Sequence, residues 1–175
     1  LEHQLKDSGA TAIVILENFA HTLADVVDHT NVQHVVMASM GDLLGFWFGK
    51  WITFAVRHLA KMVPAYELPL TNGRKVVSFK KALALGERRT LAPSTATLDS
   101  IAFLQYTGGT TGLSKGAVLT HRNIVAATLQ AEAWFTPALA KIGDVTKANS
   151  IAALPLYHIF ALTLCLLAIR QGSSL

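Results

Sequence analysis

The sequence predicts an α/β fold, a partial layered domain with a mostly parallel sheet flanked by helices, and two observations support this prediction. Short apolar runs at 11–16 (TAIVIL) and 33–38 (QHVVMA) predict strands, with a helical pattern at about 19–28 between them. This order of strand, helix and strand is typical of a parallel sheet with a right-handed crossover. Further apolar runs at 101–106 and 117–120 enclose a glycine-rich loop, which predicts two more strands around that loop.

Local signals predict the other elements of the first half. Residues 1–8 resemble the end of a helix that stops at Gly9. Residues 64–100 hold three of the five prolines and a Thr-Asn-Gly turn sequence, which predicts a long connection with a short helix near 78–85.

In the second half, Thr120 is an ordinary N-cap residue, so a helix is expected over about 121–138. The apolar run at 151–154 predicts a strand, and Pro155 predicts a turn before a core helix. We therefore divide the chain into a strand and helix alternation at 1–63, a connection at 64–100, and a third region at 101–175.

The composition indicates a fragment of a larger protein. Hydrophobic residues make up 51% of the 175 residues and charged residues 15%, against typical values of about 45 to 50% and about 25%. The chain also begins without methionine and ends directly after an apolar helix. We expect parent segments to cover some of its apolar faces, and we expect the isolated fragment to self-associate through them.

Charge and cysteine content exclude several classes of site. The formal charge is +4, but lysine and arginine are dispersed, so no nucleic-acid-binding stripe is predicted. The single cysteine, Cys165, permits neither an internal disulfide nor a cysteine zinc cluster, which suits a reducing, cytoplasmic location. No metal-ligating residues are predicted, because the histidines at 3, 21, 34 and 58 have no partner at ligand spacing.

Residues 106–116, YTGGTTGLSKG, have the composition of a phosphate-binding loop. Its glycines allow backbone conformations closed to other residues and let bare N–H groups approach a ligand. Its threonines add hydroxyl donors, and Lys115 adds a compact positive charge suited to a phosphate oxygen. A Walker A loop is excluded, because Lys115 follows Ser114 rather than a glycine and no Ser or Thr comes directly after Lys115. The kinase pattern G-x-G-x-x-G is also absent.

The stretch YTGGTTGLSKGAVLTHRN resembles the motif YTSGTTGxPKG, with a following strand and T-H-x-N, of the adenylate-forming superfamily. A second motif of that superfamily follows as LPLYHIFALT at 154–163. Within the superfamily, the chain is most similar to bacterial long-chain-fatty-acid CoA ligases, and the similarity extends upstream into 56–69. One departure is Ser114, which stands where the superfamily has proline.

The resemblance implies two half-reactions. A fatty-acid carboxylate attacks the α-phosphorus of ATP to give acyl-AMP and pyrophosphate, and the thiol of coenzyme A then displaces AMP. Mg²⁺ and the loop would neutralise the β- and γ-phosphates, and Lys115 and Thr111 would act in catalysis. The phosphate-binding residues implied are Tyr106, Thr107, Gly108, Gly109, Thr110, Thr111, Gly112, Lys115 and Gly116.

By the same resemblance, Tyr157, His158 and Phe160 border the acyl-substrate side, with His158 also in a catalytic role. The alternative for His158 is a core-edge histidine satisfied by a backbone carbonyl. The family's magnesium glutamate, ribose-binding aspartate and C-terminal lysine would lie beyond residue 175. We therefore expect the C-terminal domain to be absent from this chain, and we expect this chain alone to be inactive.

Two other functions stay open at the sequence level. One is an adenylation domain with another carboxylate or acceptor, as in peptide synthetases. The other is a non-catalytic membrane-associated protein in which the glycine loop is incidental. Two apolar stretches bear on the second function, and for 151–169 a strand, a turn and a core helix explain the residues better than a membrane span.

The stretch 41–63 predicts a helix with Lys50, Arg57 and Lys61 in one stripe, next to Phe46, Trp47 and Phe54. Such a helix suits peripheral contact with the inner face of the cell membrane. The favoured alternative is a helix packed on the parent protein, with its basic stripe in water.

Overall fold

The computed structural model describes residues 1–108, 112–141, 143–155 and 157–175. The chain forms two compact units, Leu1–Pro93 and Ser94–Leu175, which are described separately. The α/β prediction is confirmed, with a parallel sheet and helices in the first unit. The finer division into 1–63, 64–100 and 101–175 stays a prediction.

The first unit is built on a three-stranded parallel sheet in the order β1, β2, β3. Strand β1 (Ala12–Leu16) and strand β2 (His34–Ala38) confirm the two predicted strands and pair from Ala12 with His34 to Leu16 with Ala38. Strand β3 (Lys75–Ser78) lies inside the predicted connection and was missed, because its apolar run is only Val76 and Val77. The helices are α1 (Glu2–Asp7), α2 (Ala20–Ala24), α3 (Phe46–Phe54) and α4 (Phe79–Gly86), and α4 confirms the predicted short helix.

One face of this sheet carries the core of the first unit. The side chains of α1 and the segment around α2 pack there against Ile13 and Ile15 of β1 and Met37 of β2. Val14 points to the other face and is 65% exposed, so β1 is buried on one face only. The buried cluster consists of Leu5, Leu23, Val27, Val32 and Val35.

The helix predicted at about 19–28 is broken into three short pieces. Two 3₁₀ turns, Glu17–Phe19 and Val27–His29, flank the five-residue α2. Val26 has φ −124°, outside the helical region, and the following turn closes through bonds between residues three apart. Adjacent β-branched valines and an aspartate at 26–28 disfavour a continuing α-helix, which explains the break.

Arg74 ties the start of β3 to the segment after α2. Its side chain is buried and donates from Nε to the carbonyl of Val32 (3.1 Å) and from Nη2 to the carbonyl of Val27 (3.2 Å). Its Nη1 donates to Asp28 Oδ1 (2.9 Å) and to the carbonyl of Pro69. The hydroxyl of Thr71 also donates to Asp28 (2.6 Å), and this bond and the guanidinium of Arg74 lower the pKa of Asp28 below its ordinary 3.8.

This carboxylate predicts an acid-dependent loss of stability. The pKa of Asp28 is lower in the folded chain than in the unfolded chain. Its contribution to the free energy of unfolding is therefore complete above the ordinary pKa of 3.8, and it is lost as pH falls through the lower pKa of the folded chain. In urea unfolding, the free energy of unfolding should fall less between about pH 5 and pH 3 for Asp28→Asn than for the unchanged chain. Asp25→Asn is the control, since no ion pair of Asp25 is found in the described residues. Equal acid losses in both variants would contradict the prediction.

The stretch 41–63 departs from the prediction of one helix with a basic stripe. Residues 41–45 form turns, α3 begins at Phe46, and a π-helical turn, Ala55–Leu59, follows it. Lys61 lies beyond the helix with φ 50°. Lys50 Nζ lies 3.9 Å from the ring centroid of Phe46, and Arg57 is paired with a buried carboxylate. The three cations are exposed, as predicted, but they do not form one stripe on a single helix.

The buried carboxylate belongs to Glu17, which directly follows β1 and whose side chain is 2% exposed. Arg57 donates to Glu17 Oε2 from both Nε (2.9 Å) and Nη2, and this pairing raises the pKa of Arg57. The bond joins the carboxyl end of β1 to the π-helical turn after α3. It therefore holds this helical segment against the sheet.

The second unit contains an antiparallel pair of strands, β4 (Ile101–Thr107) and β5 (Lys115–Thr120), which confirms both predicted strands. Helix α5 (His121–Leu139) and helix α6 (Ile159–Gln171) pack on each other, and Arg170 Nε donates to Glu132 Oε2 across them (2.8 Å). A short 3₁₀ turn, Val145–Lys147, lies between them.

The predicted strand at 151–154 is wrong. These four residues have no strand partner, and the nearest ladder contact in the described chain is the single bridge between Asn149 and Ser174. An apolar run becomes a strand only where a neighbour can accept its hydrogen bonds. The turn at Pro155 is present, closed by the N–H of His158 on the carbonyl of Pro155 (2.9 Å). None of the helices in the described ranges has the length and apolar character needed to cross a membrane.

Candidate functional site

The glycine-rich loop joins the ends of an antiparallel hairpin. The last pair of the ladder is Thr107 with Lys115, and residues 108–114 connect the two strands. Thr107 Oγ1 donates to the carbonyl of Lys115 (3.5 Å), which closes the base of the loop. A rigid two-stranded base therefore holds both ends of the predicted phosphate cradle. The predicted ligands Gly109, Thr110 and Thr111 lie outside the described residues.

The structure explains why glycine is required at two positions of the motif, 112 and 116. Gly112 has φ 109°, a conformation that residues with a Cβ rarely adopt. Gly116 lies opposite Tyr106 in the ladder, and a Cβ added there would lie 3.0 Å from Cζ of the tyrosine ring. The Tyr106 ring thus lies directly over the backbone of Gly116, which fixes the ring next to the loop.

Lys115 is the positive charge at the end of the loop. It is exposed, and no carboxylate of the described residues pairs with its ammonium group. Since β5 begins at Lys115, the backbone of this residue is held in the ladder while its side chain extends from the end of the strand. An unpaired ammonium group on a fixed strand end can interact with a phosphate oxygen.

The T-H-R-N sequence after β5 forms the start of α5. Thr120 Oγ1 accepts from the N–H of Asn123 (3.3 Å), and Asn123 Oδ1 accepts from the N–H of Thr120 (3.0 Å), which makes a reciprocal capping box. Arg122 donates from Nε (3.0 Å) and Nη2 (2.9 Å) to Asp99 Oδ1. This part of the motif stabilises the helix after the hairpin rather than offering groups to a ligand.

The second motif lies beside the first. Gln105, on β4 two residues before the loop, donates from Nε2 to the backbone carbonyl of Tyr157 (2.6 Å). The Tyr157 side chain is 80% exposed, and Phe160 is also exposed. The structure therefore brings 157–160 to the strand that carries Tyr106 and Thr107, which the sequence places about fifty residues apart.

His158 is the N-cap residue of α6. Its Nδ1 accepts from the N–H of Phe160 (3.3 Å), so Nδ1 carries no proton and a neutral ring is protonated at Nε2. The interpretation of His158 as a core-edge histidine bonded to a backbone carbonyl is wrong, because the residue is exposed and accepts a backbone N–H. The cap fixes the orientation of the ring at the start of the helix and leaves Nε2–H as a donor.

Three residues have positioning roles that the sequence does not predict: Gln105 and Asp99 near the motifs, and Glu17 beside α3. Gln105 is a polar residue within an apolar strand, and that contrast is a usable signal. Asp99 and Glu17 each pair with an arginine distant in sequence, and no local pattern indicates such pairs.

A family model for AMP-binding enzymes matches residues 1–175. The chain belongs to this family. It is 49% identical over 173 residues to a protein named long-chain-fatty-acid–CoA ligase from Salmonella typhimurium, an alignment that covers 98% of this chain and 29% of that protein. The chain thus spans less than a third of the length of this curated relative.

Two solved structures share the fold of this family member. One is a long-chain-fatty-acid-CoA ligase from Archaeoglobus fulgidus, with a TM-score of 0.55 and 21% identity over 99% of this chain and 26% of that one. The other is the A-PCP didomain of a carboxylic acid reductase from Segniliparus rugosus in complex with AMP, with a TM-score of 0.61 and 17% identity over 99% of this chain and 23% of that one. At these identities the similarity shows the fold alone.

Proposed function

We propose that this chain is the phosphate-binding part of an ATP-dependent long-chain-fatty-acid CoA ligase, which forms acyl-AMP and pyrophosphate and then acyl-CoA. The observation that supports it most directly is the bond from Gln105 to the carbonyl of Tyr157, which brings the two motifs together. Thr107 and Lys115 pair at the loop end of the hairpin, and the Tyr157 carbonyl is bonded to strand β4 of the same hairpin. The 49% identity to a protein of that name supports the substrate class.

In the first half-reaction a fatty-acid carboxylate oxygen bonds to the α-phosphorus of ATP. The bond between the α-phosphorus and the bridging oxygen breaks, and its electron pair leaves with pyrophosphate. Lys115 and the loop amides, including those of Gly108 and Gly112, stabilise the charge that builds on the leaving phosphates. Tyr106, fixed over Gly116, forms one wall of the nucleotide site.

In the second half-reaction the sulfur of coenzyme A, after loss of its proton, bonds to the acyl carbon and AMP leaves. Tyr157, His158 and Phe160 line the acyl side in this proposal. Because Nδ1 of His158 accepts the helix N–H, its Nε2–H is available to donate to an acyl or phosphate oxygen. We assign His158 to hydrogen-bond donation rather than to proton abstraction.

Mg²⁺ belongs to the proposal as a counter-ion of the triphosphate. The described residues contain no group of three or more His, Cys, Asp or Glu side chains arranged for a metal ion. No carboxylate is paired with Lys115 among them either. The described residues therefore do not form a magnesium site of their own.

We also propose peripheral contact of α3 with the inner face of the membrane, in a cytoplasmic protein. The side chains of Phe46, Trp47 and Trp51 are exposed, and Lys50 lies over the Phe46 ring. Exposed aromatic side chains next to a cation suit the headgroup layer. Exposed apolar side chains such as Trp134 and Ile169 in the second unit support self-association of the isolated chain.

Pyrophosphate exchange into ATP tests the function in the full-length protein that carries this chain. Exchange should require a fatty acid, because formation of acyl-AMP is the reversible step that incorporates pyrophosphate. Amino acids and aromatic carboxylic acids serve as controls for the alternative of an adenylation domain with another substrate. Exchange with one of those acids, and none with saturated acids from octanoate to stearate, would overturn the fatty-acid assignment.

A further inference from the structure

A cleft of about 340 Å³ lies in the first unit at the carboxyl end of β2, between the start of α4 and the helix α3. In open parallel sheets, ligands bind at the carboxyl ends of the strands. Ser39 directly follows β2, and Lys80 is the second residue of α4, directly after β3. The walls are formed by Ser39, Asp42, Lys50, Thr53, Arg57 and Lys80, with Phe54 and His58 at the side.

Positive charge dominates the walls. Lys50, Arg57 and Lys80 face a single carboxylate, that of Asp42. Asp42 Oδ2 already accepts the N–H of Ser39 (2.7 Å), and Oδ1 is 3.8 Å from Lys80 Nζ, beyond a good hydrogen bond. Glu17 engages Nε and Nη2 of Arg57, and no bond of Nη1 is found in the described chain. The three cations therefore outnumber the two nearby carboxylates, Asp42 and Glu17, and the cleft keeps a net positive charge.

The start of α4, which Ser78 caps, favours a nearby anion. Lys80 and Lys81 lie in the first turn, where the aligned peptide dipoles place partial positive charge, and that turn has no acidic residue. Cations at this end of a helix are destabilising, and an anion there is stabilising. The lysines thus oppose the stability of their own helix, and Lys80 also lines the cleft.

Two hydroxyl groups of the walls are uncommitted, that of Ser39 directly after β2 and that of Thr53 on α3. No hydrogen bond of Ser39 Oγ or Thr53 Oγ1 is found among the described residues. The backbones of Gly41 and Gly49 are in direct contact. A Cβ added to Gly41 would lie 1.9 Å from the carbonyl oxygen of Gly49, and a Cβ added to Gly49 would lie 2.1 Å from that of Gly41. This contact fixes α3 against the loop after β2, so that Lys50 and Thr53 are held at the cleft.

We propose that this cleft binds a phosphate group, separately from the nucleotide loop of the second unit. Lys50, Lys80 and the free side of Arg57 would supply charge-assisted bonds, and Ser39 and Thr53 would donate from their hydroxyls. A soluble phosphate and the phosphate of a lipid headgroup share this chemistry. The experiment separates the two sources.

The test uses the full-length protein with Lys115→Ala in every sample, which weakens phosphate binding at the nucleotide loop. Calorimetry measures binding of inorganic phosphate, and co-sedimentation measures binding to phosphatidylcholine vesicles with and without phosphatidylglycerol. Lys50→Gln/Lys80→Gln removes two cations of the cleft. Lys61→Gln/Lys81→Gln removes the same charge outside its walls and is the matched control. Thermal unfolding confirms that both double variants are folded.

We expect the cleft variant to lose at least about tenfold in affinity while the control stays within about twofold of its parent. If the cleft variant loses affinity only for inorganic phosphate, the ligand is a soluble phosphate. If it loses affinity only for the vesicles with phosphatidylglycerol, the ligand is a lipid headgroup. Equal losses in the cleft and control variants would show general electrostatic attraction and overturn the site. Absence of binding to either probe by the protein with an intact cleft would also overturn it.

Discussion

In the full-length protein that carries this chain, we expect Lys115→Ala to raise the barrier to the proposed adenylate formation by about 2 to 4 kcal/mol, or roughly 30- to 1000-fold in rate. In the proposed function the ammonium group contacts phosphates whose negative charge increases as pyrophosphate leaves, so its contribution is larger in the transition state than in the bound ATP complex. Fatty-acid affinity should change by less than about twofold, because Lys115 lies on the hairpin and not in the acyl motif.

Single-turnover formation of acyl-AMP at saturating ATP measures this rate, and the dependence on fatty-acid concentration gives the affinity. Lys141→Ala is the matched control, as it removes an exposed lysine of the same unit beyond α5. Thr111→Ala is expected to act in the same direction as Lys115→Ala. An unchanged rate for Lys115→Ala would remove this residue from the phosphate cradle.

Arg57→Ala is expected to lower the free energy of unfolding by about 3 kcal/mol. The substitution leaves the Glu17 carboxylate buried without its partner, and burial of an unpaired charge is costly. We take the low end of the usual range because the Arg57 side chain is 48% exposed and water screens the pair.

Urea unfolding of the full-length protein, followed by a probe in this region, measures the change. Arg88→Ala is the control, an exposed arginine for which no ion pair is found in the described residues. Glu17→Gln/Arg57→Gln should recover part of the loss, since the double variant has no buried charge. If Arg57→Ala and Arg88→Ala unfolded at the same urea concentration, the pair would have no role in stability.

Elements with a strong local signal could be predicted from the sequence. Strands β1, β2, β4 and β5 have dense runs of apolar residues, and α5 follows a threonine cap. The strand at 151–154 failed because an apolar run shows that residues can be buried, but not whether a neighbouring strand is present. Strand β3 was not predicted for the opposite reason. Its apolar run is only two valines, and these form a strand because they pair with β2.

The basic stripe at 41–63 failed because a helical projection assumes a constant 100° per residue. The π-helical turn at Ala55–Leu59 changes that phase, and Lys61 leaves the helix altogether. Arg57 also forms an ion pair with Glu17, which lies forty residues away in sequence. Partners so distant in sequence have no local signature.

The candidate site was predicted in part. The sequence indicated a loop between two strands, and the hairpin of β4 and β5 confirms that placement. The phosphate-binding and acyl-side roles of the individual residues stay predictions. The capping role of His158 could not be foreseen, because the motif suggests chemistry at this position while the backbone of α6 requires an acceptor there.

The bond from Gln105 to Tyr157 reaches the main chain of the second motif and not its side chain. Placement of this segment against β4 therefore does not depend on which side chain occupies position 157. In the proposed function, the exposed side chain at 157 can change to suit a different acyl substrate while the segment stays bonded to β4. The proposed substrate choice and the placement of this segment can thus vary independently, provided that residue 105 keeps a donor.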